Sequence, residues 1–303
     1  MRKRRGSAYS RKGISAGSPG RKTRKTLKRI QTSGPPNSRK LQSLWRTGIS
    51  GLRRTLSVII SARNEEDTIS QVIRQASRLN PEEIIVVLNG CQDRSFQRAR
   101  LSREAIIVHC PESAGHDVGR AIGAKLSRGD ILLFLDGDMV ISAPLLLPFL
   151  EVIAKGADVA LNDIDSLLPS FALWDDVTRC KLFLNTILGR DDLGTGSLTA
   201  VPHALSRRAV EVIGYQELMV PPKAQAIALM HKLLVTKAGT VNVIKKNRQR
   251  QANTGQGNAM ELLISGDHAE ALQEVLAREG NRLLTGGNHA EKRRLMASWR
   301  NGL

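Results

Sequence analysis

The chain has 303 residues, of which 41% are hydrophobic and 24% are charged, a composition typical of a globular protein with a full hydrophobic core. It excludes a disulfide-stapled mini-protein, a wholly disordered chain and a membrane bundle. The formal net charge is +18, but 17 basic residues and no acidic residue lie in residues 1–54. The remainder is almost neutral, so the high charge describes one end of the chain.

Residues 1–54 are predicted to form a disordered basic arm. They mix Arg, Lys, Ser and Gly around Gly34, Pro35 and Pro36, with too few apolar residues to offset the entropy of ordering. Two interpretations stay open: a solvated solubility tail, or a segment attracted to nucleic acid or another anionic surface. The acid-free, Ser-rich start also resembles an organelle transit peptide, although it lacks a clear amphipathic helix.

Cysteine use and hydropathy bear on location. Three cysteines without a C-x-x-C pair indicate neither a disulfide framework nor a zinc ribbon, which favours a reducing, cytoplasmic compartment. The most apolar stretch, residues 131–154, is interrupted by Asp136, Asp138 and two prolines. A spanning helix needs about 20 clean apolar residues, so we expect no transmembrane segment and at most peripheral membrane association.

From Thr55 onward the pattern predicts strands that alternate with helices. Strands are expected at residues 56–60, 83–88, 105–109 and 131–135, and helices near residues 69–76, 95–102 and 116–126. Asn64 is expected to cap the first helix, with Asp67 completing a capping box. Further on, we expect helices at residues 174–188 and 260–277 and a strand at residues 240–244. This order is typical of a mostly parallel α/β sheet, which binds ligands beyond the carboxyl ends of its strands.

Polar residues follow these strands. Asp136 and Asp138 come after the fourth strand with a glycine between them, and oxygen ligands of this kind suit a divalent cation that holds a diphosphate. The same spacing is also typical of an ordinary polar turn. Residues 62–65 and 89–93 follow the first two strands, and residues 119–124 form a Gly/Ala-rich helix. All of them are expected to reach one edge of the sheet and to open into one pocket.

Four segments in this order resemble the family 2 glycosyltransferases, enzymes of the GT-A fold that use nucleotide sugars. They are SVIISARNEE at 57–66, VVLNGCQD at 86–93, the Gly/Ala-rich helix within 119–130, and LDGD at 135–138. The resemblance implies one GT-A-like domain at residues 55–303. It also implies a nucleoside-diphosphate sugar as donor and Mg²⁺ or Mn²⁺ as cofactor.

The resemblance also implies roles for single residues. The donor would contact Ala62, Glu65, Asn89, Asp93, Arg120 and Asp136. Asp138 would be the direct metal ligand, and Asp136 would support the metal and the ribose. Many members have an acidic residue in place of Asn89 and a proline in place of Ser61, departures that alter detail without removing the pocket.

A catalytic base is harder to place. Members that invert configuration usually begin a later helix with a Glu-Asp pair, and the corresponding residues 220–224 contain no acidic residue. A base from elsewhere, a retaining reaction and a degenerate site all stay open. Asp191 and Asp192 are the first candidates and Asp163 and Asp165 the next, although a solvated loop explains the first pair equally well.

Basic residues near residue 245 are candidates for the leaving diphosphate. Lys245, Lys246 and Arg248 follow the strand predicted at residues 240–244, and cations there would stabilise the departing charge. A solvated basic face is the other interpretation. The histidine that many members use as a metal ligand is missing from residues 240–255, and His268 is a weak substitute, more typical of a surface or capping residue.

The sequence therefore predicts transfer of a sugar from a nucleoside-diphosphate sugar to an unidentified acceptor hydroxyl, assisted by a divalent metal. One alternative is nucleotidyl transfer, although residues 61–65 lack the glycines of a phosphate loop. The other is a catalytically degenerate protein that binds nucleotide sugars without turning them over.

Overall fold

The structure is a computed structural model that describes residues 54–243 and 258–279, together with Arg294, Ala297 and Ser298. The predicted basic arm, apart from Arg54, lies outside the described residues, so its character and the domain boundary stay predictions. None of the helices in the described part of the chain has the length and apolar character needed to span a bilayer.

The first half of the domain alternates strands and helices as predicted. Its elements are β1 (Leu56–Ala62), α1 (Ile69–Ser77), β2 (Glu83–Asn89), α2 (Ser95–Arg100), β3 (Ala105–Cys110), α3 (Val118–Leu126) and β4 (Ile131–Asp136). Each strand runs one or two residues beyond its predicted carboxyl end. Three of the predicted site residues, Ala62, Asn89 and Asp136, are therefore the last residues of their strands.

The second half continues with shorter strands and longer connections. Its elements are α4 (Ala143–Ala154), β5 (Val159–Asn162), α5 (Asp176–Ile187), β6 (His203–Ser206), α6 (Arg207–Ile213), α7 (Pro221–Met230), β7 (Val235–Gly239) and α8 (Ala259–Glu279). The helices predicted at residues 174–188 and 260–277 are confirmed as α5 and α8.

The strand predicted at residues 240–244 is wrong, because β7 lies about five residues earlier. β7 pairs with β5 from Val159 opposite Val235 onward. Beyond its end, the Asn162 side chain replaces the ladder: its Oδ1 accepts from the Val241 amide at 2.8 Å, and its Nδ2 donates to the Val241 carbonyl at 3.0 Å. Since a side chain satisfies these backbone groups, the chain leaves the sheet there.

The described strands form one sheet in the order β3-β2-β1-β4-β6-β5-β7. Only β6 among them is antiparallel to its neighbours, β4 and β5, and the other six run in one direction. The predicted mostly parallel sheet is thus confirmed. The carboxyl ends of β1, β2 and β4, which carry the resemblance motifs, lie together at one edge.

Both faces of the sheet are buried, which explains the uninterrupted apolar runs in the sequence. Val58 and Ile60 of β1 pack into the core formed with α1 and α4, whereas Ile59 between them packs with α3, α6 and α7 on the other face. The alternation of β1 side chains therefore supports both layers and leaves its carboxyl end rigidly placed.

Candidate active site

The turn after β4 is attached directly to the end of β1. The Gly137 amide donates to the Ser61 carbonyl at 2.7 Å, and the Gly137 carbonyl accepts from Thr68 Oγ1 at 2.7 Å. A Cβ at position 137 would lie 2.5 Å from the Ala62 Cβ, so this close approach requires glycine. Asp136 and Asp138, on either side of Gly137, both line one groove.

A buried arginine supports this turn from below. Arg120 of α3 places its Nε 3.2 Å from Asp117 Oδ1 and its Nη2 3.6 Å from Asp136 Oδ1, and its Nη1 donates to the Leu198 carbonyl at 3.1 Å. Burial alone would lower the pKa of Arg120, but these two carboxylates raise it above the ordinary value. The permanent charge of Arg120 therefore orients Asp136 and ties it to the glycine-rich segment 194–203.

Desolvation acts in the opposite sense on the acidic partner. It raises the pKa of Asp136, and the adjacent Arg120 offsets part of that rise. A carboxylate in this setting is stabilised by an additional positive charge. A cation bound at the turn would provide one.

The loops after β1 and β2 are connected through Asp93. Its Oδ2 accepts from the Glu66 amide at 3.0 Å and its Oδ1 from the Ser95 amide at 2.9 Å, while Ser95 Oγ accepts from the Glu65 amide at 2.7 Å. Burial raises the pKa of Asp93, but the Ser95 hydroxyl and these amides outweigh it, and the net pKa lies below the ordinary value. Asp93 is therefore an ionised acceptor at neutral pH.

Asn64 belongs to this connection and does not cap α1. The helix begins at Ile69 after Thr68, with no capping bond from a side chain. Asn64 adopts φ +58°, a conformation that asparagine tolerates better than most residues, and its Oδ1 accepts from the Gln92 amide at 2.8 Å. The capping prediction is wrong because the loop after β2 takes the side chain that the helix would have used.

The predicted single pocket is two cavities at the same edge of the sheet. A smaller cavity of about 320 Å³ is lined by Asn64, Glu66, Asp67, Gln92 and Asp93. Asp138 lies in the larger groove described above. The expectation that Asp93 and Asp138 open into one space is therefore corrected.

The remaining predicted donor residues are buried at the strand ends. Ala62 and Glu65 are 5% and 2% exposed. The amide of Asn89 is engaged within the protein: Oδ1 accepts from the Ala114 amide at 2.8 Å and Nδ2 donates to the Gly115 carbonyl at 2.5 Å. Asn89 thus holds the loop before α3, and its direct contact with a donor stays a prediction.

The larger groove, of about 790 Å³, lies between the edge of the sheet and a wall of helices. The β4 side contributes Asp136, Asp138 and Met139. The helix wall consists of residues from the connection 164–175, the first turns of α5, residues 199–201 and the start of α8. Its charged members are Asp175, Asp176, Arg179, Lys181 and Glu261. None of these five residues was predicted from the sequence as part of the site.

Asp191 and Asp192 are not among the residues that line either cavity, and their role as a catalytic base stays a prediction. Arg190 holds Asp192 through Nε and Nη2 at 2.7 and 2.8 Å, and its Nη2 also donates to the Val235 carbonyl. The hydrogen bonds from Arg190 lower the pKa of Asp192. An exposed carboxylate that is already paired with a guanidinium is a poor base.

The second pair of base candidates is also engaged elsewhere. Asp163 and Asp165 lie 3.2 and 2.9 Å from Lys237 Nζ. Asp165 Oδ1 also accepts from the Thr195 amide at 3.0 Å, which fixes the start of the glycine-rich segment. These carboxylates connect β5 and β7 to that segment and are not among the groove residues.

Two other predictions concern residues 245–248 and His268. Lys245, Lys246 and Arg248 lie outside the described residues, so their role at the diphosphate stays a prediction. His268 is 2% exposed on α8, with Nδ1 2.7 Å from the Ile264 carbonyl, and is therefore neither a surface residue nor a partner of the two carboxylates. The suggestion that His268 replaces the missing metal-ligating histidine is therefore not supported by its position.

The two aspartates fit a hard divalent cation. Within the described residues, no cluster of three or more His, Cys, Asp or Glu is arranged to bind a metal. Asp136 and Asp138 supply carboxylate oxygens at one turn, and Mg²⁺ is typically held by one or two carboxylates together with substrate phosphates and water. The donor set therefore suits Mg²⁺ or Mn²⁺ bound jointly with a diphosphate.

Comparison with known proteins agrees with this architecture. Residues 57–213, just over half of the chain, match the family model for glycosyl transferase family 2. A 108-residue segment is 37% identical to glucosyl-3-phosphoglycerate synthase of Mycolicibacterium paratuberculosis and covers 32% of each chain. A 148-residue segment is 30% identical to polypeptide N-acetylgalactosaminyltransferase 3 of Drosophila melanogaster and covers 45% of this chain and 21% of that protein. The chain thus matches only about a third and a fifth of the length of these relatives.

A solved structure extends the likeness in fold. The crystal structure of glucosyl-3-phosphoglycerate synthase from Mycobacterium tuberculosis in complex with Mn²⁺, UDP and phosphoglyceric acid gives a TM-score of 0.55. The match covers 82% of this chain and 85% of that chain at 21% identity. The predicted fold class is confirmed by this match, which extends well beyond the family segment.

Proposed function

Because the chain belongs to glycosyl transferase family 2, we propose that it transfers a sugar from a nucleoside-diphosphate sugar to an acceptor hydroxyl, assisted by Mg²⁺ or Mn²⁺. The observation that carries this proposal is the pair Asp136 and Asp138 in the groove at the end of β4. A carboxylate turn at this position is where a metal-bound diphosphate is expected in an open α/β sheet.

The first donor to test is a uridine diphosphate sugar. The Mycobacterium tuberculosis enzyme has been crystallised with Mn²⁺, UDP-glucose and phosphoglyceric acid, and also with Mg²⁺ and UDP. This chain shares the fold of that enzyme. We therefore take UDP-glucose with Mn²⁺ as the reference condition.

Different residues of this chain would bind different parts of the donor. Asp138 and Asp136 would hold the metal, which when bound neutralises charge on the departing diphosphate. Arg120 keeps the Asp136 carboxylate oriented and joins it to the Leu198 carbonyl of the glycine-rich segment. Ionised Asp93 would accept from the nucleobase, provided that the smaller cavity receives the nucleoside. The contacts that orient Asp136 and Asp93 exist before the donor binds, so these side chains need little reorganisation when it does.

The start of α7 limits where a base can lie. Its first turn opens with Pro221 and Pro222 and contains no acidic residue. A general base at that helix is therefore absent, and the anomeric configuration of the product becomes the measurement that separates an inverting from a retaining reaction.

The experiment incubates the full chain with Mn²⁺ and a panel of nucleoside-diphosphate sugars, and separately with nucleoside triphosphates. We expect release of a nucleoside diphosphate, strongest with one uridine diphosphate sugar and abolished by a chelator. Release of pyrophosphate from a triphosphate would favour nucleotidyl transfer instead. Tight donor binding without release, with every acceptor tried, would establish a non-catalytic binding protein.

Location and polyanion binding are separate proposals. A cytoplasmic location, and the attraction of residues 1–54 to nucleic acid or an anionic surface, rest on sequence composition alone. Deleting residues 1–54 should remove a salt-dependent association, because cations that displace counterions make affinity fall with salt. If the truncated chain keeps the same association, the arm is a solubility tail.

A further inference from the structure

Lys181 of α5 is a buried cation in the helix wall of the groove. Its side chain is only 9% exposed, and it lines the groove together with residues of α8. No carboxylate lies within 4.0 Å of its Nζ anywhere in the described ranges 54–243 and 258–279. Burial lowers the pKa of Lys181, and the charge of Asp175 offsets only part of that.

Two other lysines in this half of the molecule, Lys223 and Lys237, are paired. Lys237 contacts Asp163 and Asp165, and Lys223 contacts Glu217 and Glu270, each at distances between 2.9 and 3.2 Å. Burying an ammonium without a partner costs several kcal/mol, whereas a paired one recovers much of this cost. Lys181 is the exception among these three lysines, and the exception faces the groove.

The carboxylates nearest to Lys181 in sequence already have partners. Asp175 caps α5, and its Oδ1 accepts from the Thr178 amide at 2.7 Å. Asp176 pairs with Arg179 at 2.9 Å. Asp175 therefore acts on Lys181 only from beyond ion-pairing distance, and neither carboxylate forms an ion pair with it.

The neighbouring helix provides no ion-pair partner either. His268 of α8 is close enough to Lys181 for the two groups to influence each other, and burial together with that charge lowers the pKa of His268 to about 4. The imidazole is therefore neutral at physiological pH. Its Nδ1 is engaged by the Ile264 carbonyl, and its buried Nε2 has no hydrogen-bond partner within the described residues. Within the described residues, the Lys181 ammonium thus lacks an ion-pair partner and the His268 Nε2 lacks a hydrogen-bond partner.

The surroundings would strengthen an ion pair made by Lys181. Trp174, Val177, Met260 and Ile264 line the same groove with apolar surface. An oxyanion bound there would meet a desolvated ammonium in a low-dielectric setting, where charge-assisted hydrogen bonds are strongest.

We propose that Lys181 binds an anionic group of the acceptor, a carboxylate or a phosphate, and so makes the enzyme specific for acidic acceptors. This proposal rests on the proposed function. We assign the anion to the acceptor because the donor contacts come from the ends of β1, β2 and β4, whereas α5 packs against α7 and α8. An acidic acceptor provides the counter-ion that the described protein lacks.

Binding by the full chain tests the proposal without requiring turnover. Glycerate carries only a carboxylate, glycerol phosphate only a phosphate, and glycerol neither. We expect at least one of the anions to raise the melting temperature and glycerol to have no effect. Lys181→Met should weaken anion binding by about tenfold or more, and Lys181→Arg should restore part of it, because a charge-assisted bond of about 1.5–3 kcal/mol is lost or replaced.

Two controls separate this effect from loss of structure or of net charge. Lys155, which follows α4 and whose side chain is 73% exposed, is the matched site, and Lys155→Met should leave anion binding unchanged. Without ligand, Lys181→Met should melt at a higher temperature than the unmodified chain, because it removes a buried unpaired charge. A purely structural lysine would instead give a lower melting temperature and unchanged anion binding.

Three results would overturn the proposal. They are equal binding of glycerol and the anions, unchanged anion affinity in Lys181→Met, and an increase in the donor KM without one in the acceptor KM. Metal-dependent hydrolysis of UDP-glucose by the unmodified chain tests the proposed function separately. Its absence would contradict the glycosyltransferase and leave the anion-binding result to be judged on its own.

Discussion

The two sides of the groove differ in how their polar groups are satisfied. On the sheet side, Arg120 contacts two carboxylates, one of them Asp136 of the groove, and a carbonyl. In the smaller cavity at the same sheet edge, Asp93 accepts two backbone amides. On the helix side, Lys181 has no carboxylate within ion-pairing distance in the described residues, and the groove residue Leu173 is 73% exposed. On the sheet side, the polar groups are already paired before a ligand binds. On the helix side, we expect the bound ligand to supply the missing contacts.

This difference indicates how the two sides divide substrate recognition. A preorganised edge stabilises charge at low reorganisation cost, which suits a reaction step common to a whole family. A wall with unsatisfied and apolar groups discriminates between ligands, because the wrong ligand leaves those groups unpaired. We therefore expect substitutions on the sheet side to reduce turnover and those on the helix side to change acceptor preference.

The largest expected effect is at Asp138. Replacing it by asparagine keeps the shape of the turn but removes a metal-binding charge, so we expect metal-dependent UDP-glucose turnover to fall by roughly 100- to 1,000-fold. Calorimetric titration of Mn²⁺ in the presence of UDP should show a matching loss of metal affinity.

Asp130 is the matched control at the other end of β4. It is exposed, and its Oδ2 accepts from the Thr55 amide and hydroxyl at 2.8 Å. Asp130→Asn removes the same charge at the residue before β4, about a strand length from the groove, and should keep turnover within a factor of two. Full activity in Asp138→Asn would show that this residue is not the metal ligand.

The next effect concerns His203, which joins the two sides. Its ring stacks on Phe134 of β4 at 5.0 Å, and its Nδ1 lies 3.0 Å from the Ala200 carbonyl in the groove wall. Burial lowers the pKa of His203 from 6.5 to about 3. The unfolded chain therefore takes up a proton before the folded protein does, and stability is lost as pH falls through the interval between these values.

Urea unfolding as a function of pH measures this contribution. At 1.36 kcal/mol per pH unit, His203 should account for a loss of about 3 kcal/mol between pH 6.5 and pH 4. His203→Phe should lower stability at neutral pH through the lost hydrogen bond, yet lose less on acidification. His109→Phe, at an exposed histidine of β3, serves as the control. Parallel slopes for the unmodified chain and His203→Phe would contradict this contribution of the buried imidazole.

How far the sequence predicts the structure also differs between the two sides. The strands of the sheet side are encoded locally, by apolar runs of three to five residues such as those around Ile59 and Ile85. The order of the motifs predicted the position of Asp136 and Asp138 at the sheet edge. Asn64 was misassigned because a cap and a loop contact use the same side-chain oxygen. Only the position of Gln92 in space separates the two roles.

The helix wall depends on contacts between distant parts of the chain. In the sequence, Lys181 looks like an ordinary lysine of an amphipathic helix. It is buried because α8, about 80 residues later in the chain, packs against α5. The partner of Asp192 is local, because Arg190 lies two residues away in the sequence. This spacing alone indicates an ion pair. The sequence therefore held enough to weaken that base assignment but nothing to identify Lys181.

Gly137 gives a smaller effect that tests the rigidity of the sheet side. A Cβ there would lie 2.5 Å from the Ala62 Cβ, and the nearest backbone atom of Ala62 is at 3.2 Å. Gly137→Ala should destabilise the protein by about 1–3 kcal/mol, because a rigid strand end has no room to relax. Urea unfolding gives the value, and the loss of turnover should exceed what the lost stability explains.

Combining Gly137→Ala with Ala62→Gly removes the methyl group of Ala62 with which the new Cβ would clash. The double variant should be more stable than the two single changes predict when added, since contacting residues couple by about 0.5–3 kcal/mol. Strict additivity would show that the strand end moves aside and that the sheet side is less rigid than its contacts indicate.

The smallest expected effect is at Asp192, and it tests whether the catalytic groups are confined to the groove. The side chain is 62% exposed and pairs with Arg190, which keeps its second bond to the Val235 carbonyl when the pair is broken. Exposed pairs contribute about 0–1 kcal/mol, so Asp192→Asn should lower stability by no more than that, and less at high salt. Turnover of UDP-glucose should stay within a factor of two, as it should for Asp191→Asn. A hundredfold loss in either variant, with metal affinity unchanged, would place a catalytic base outside the groove and break the division between its two sides.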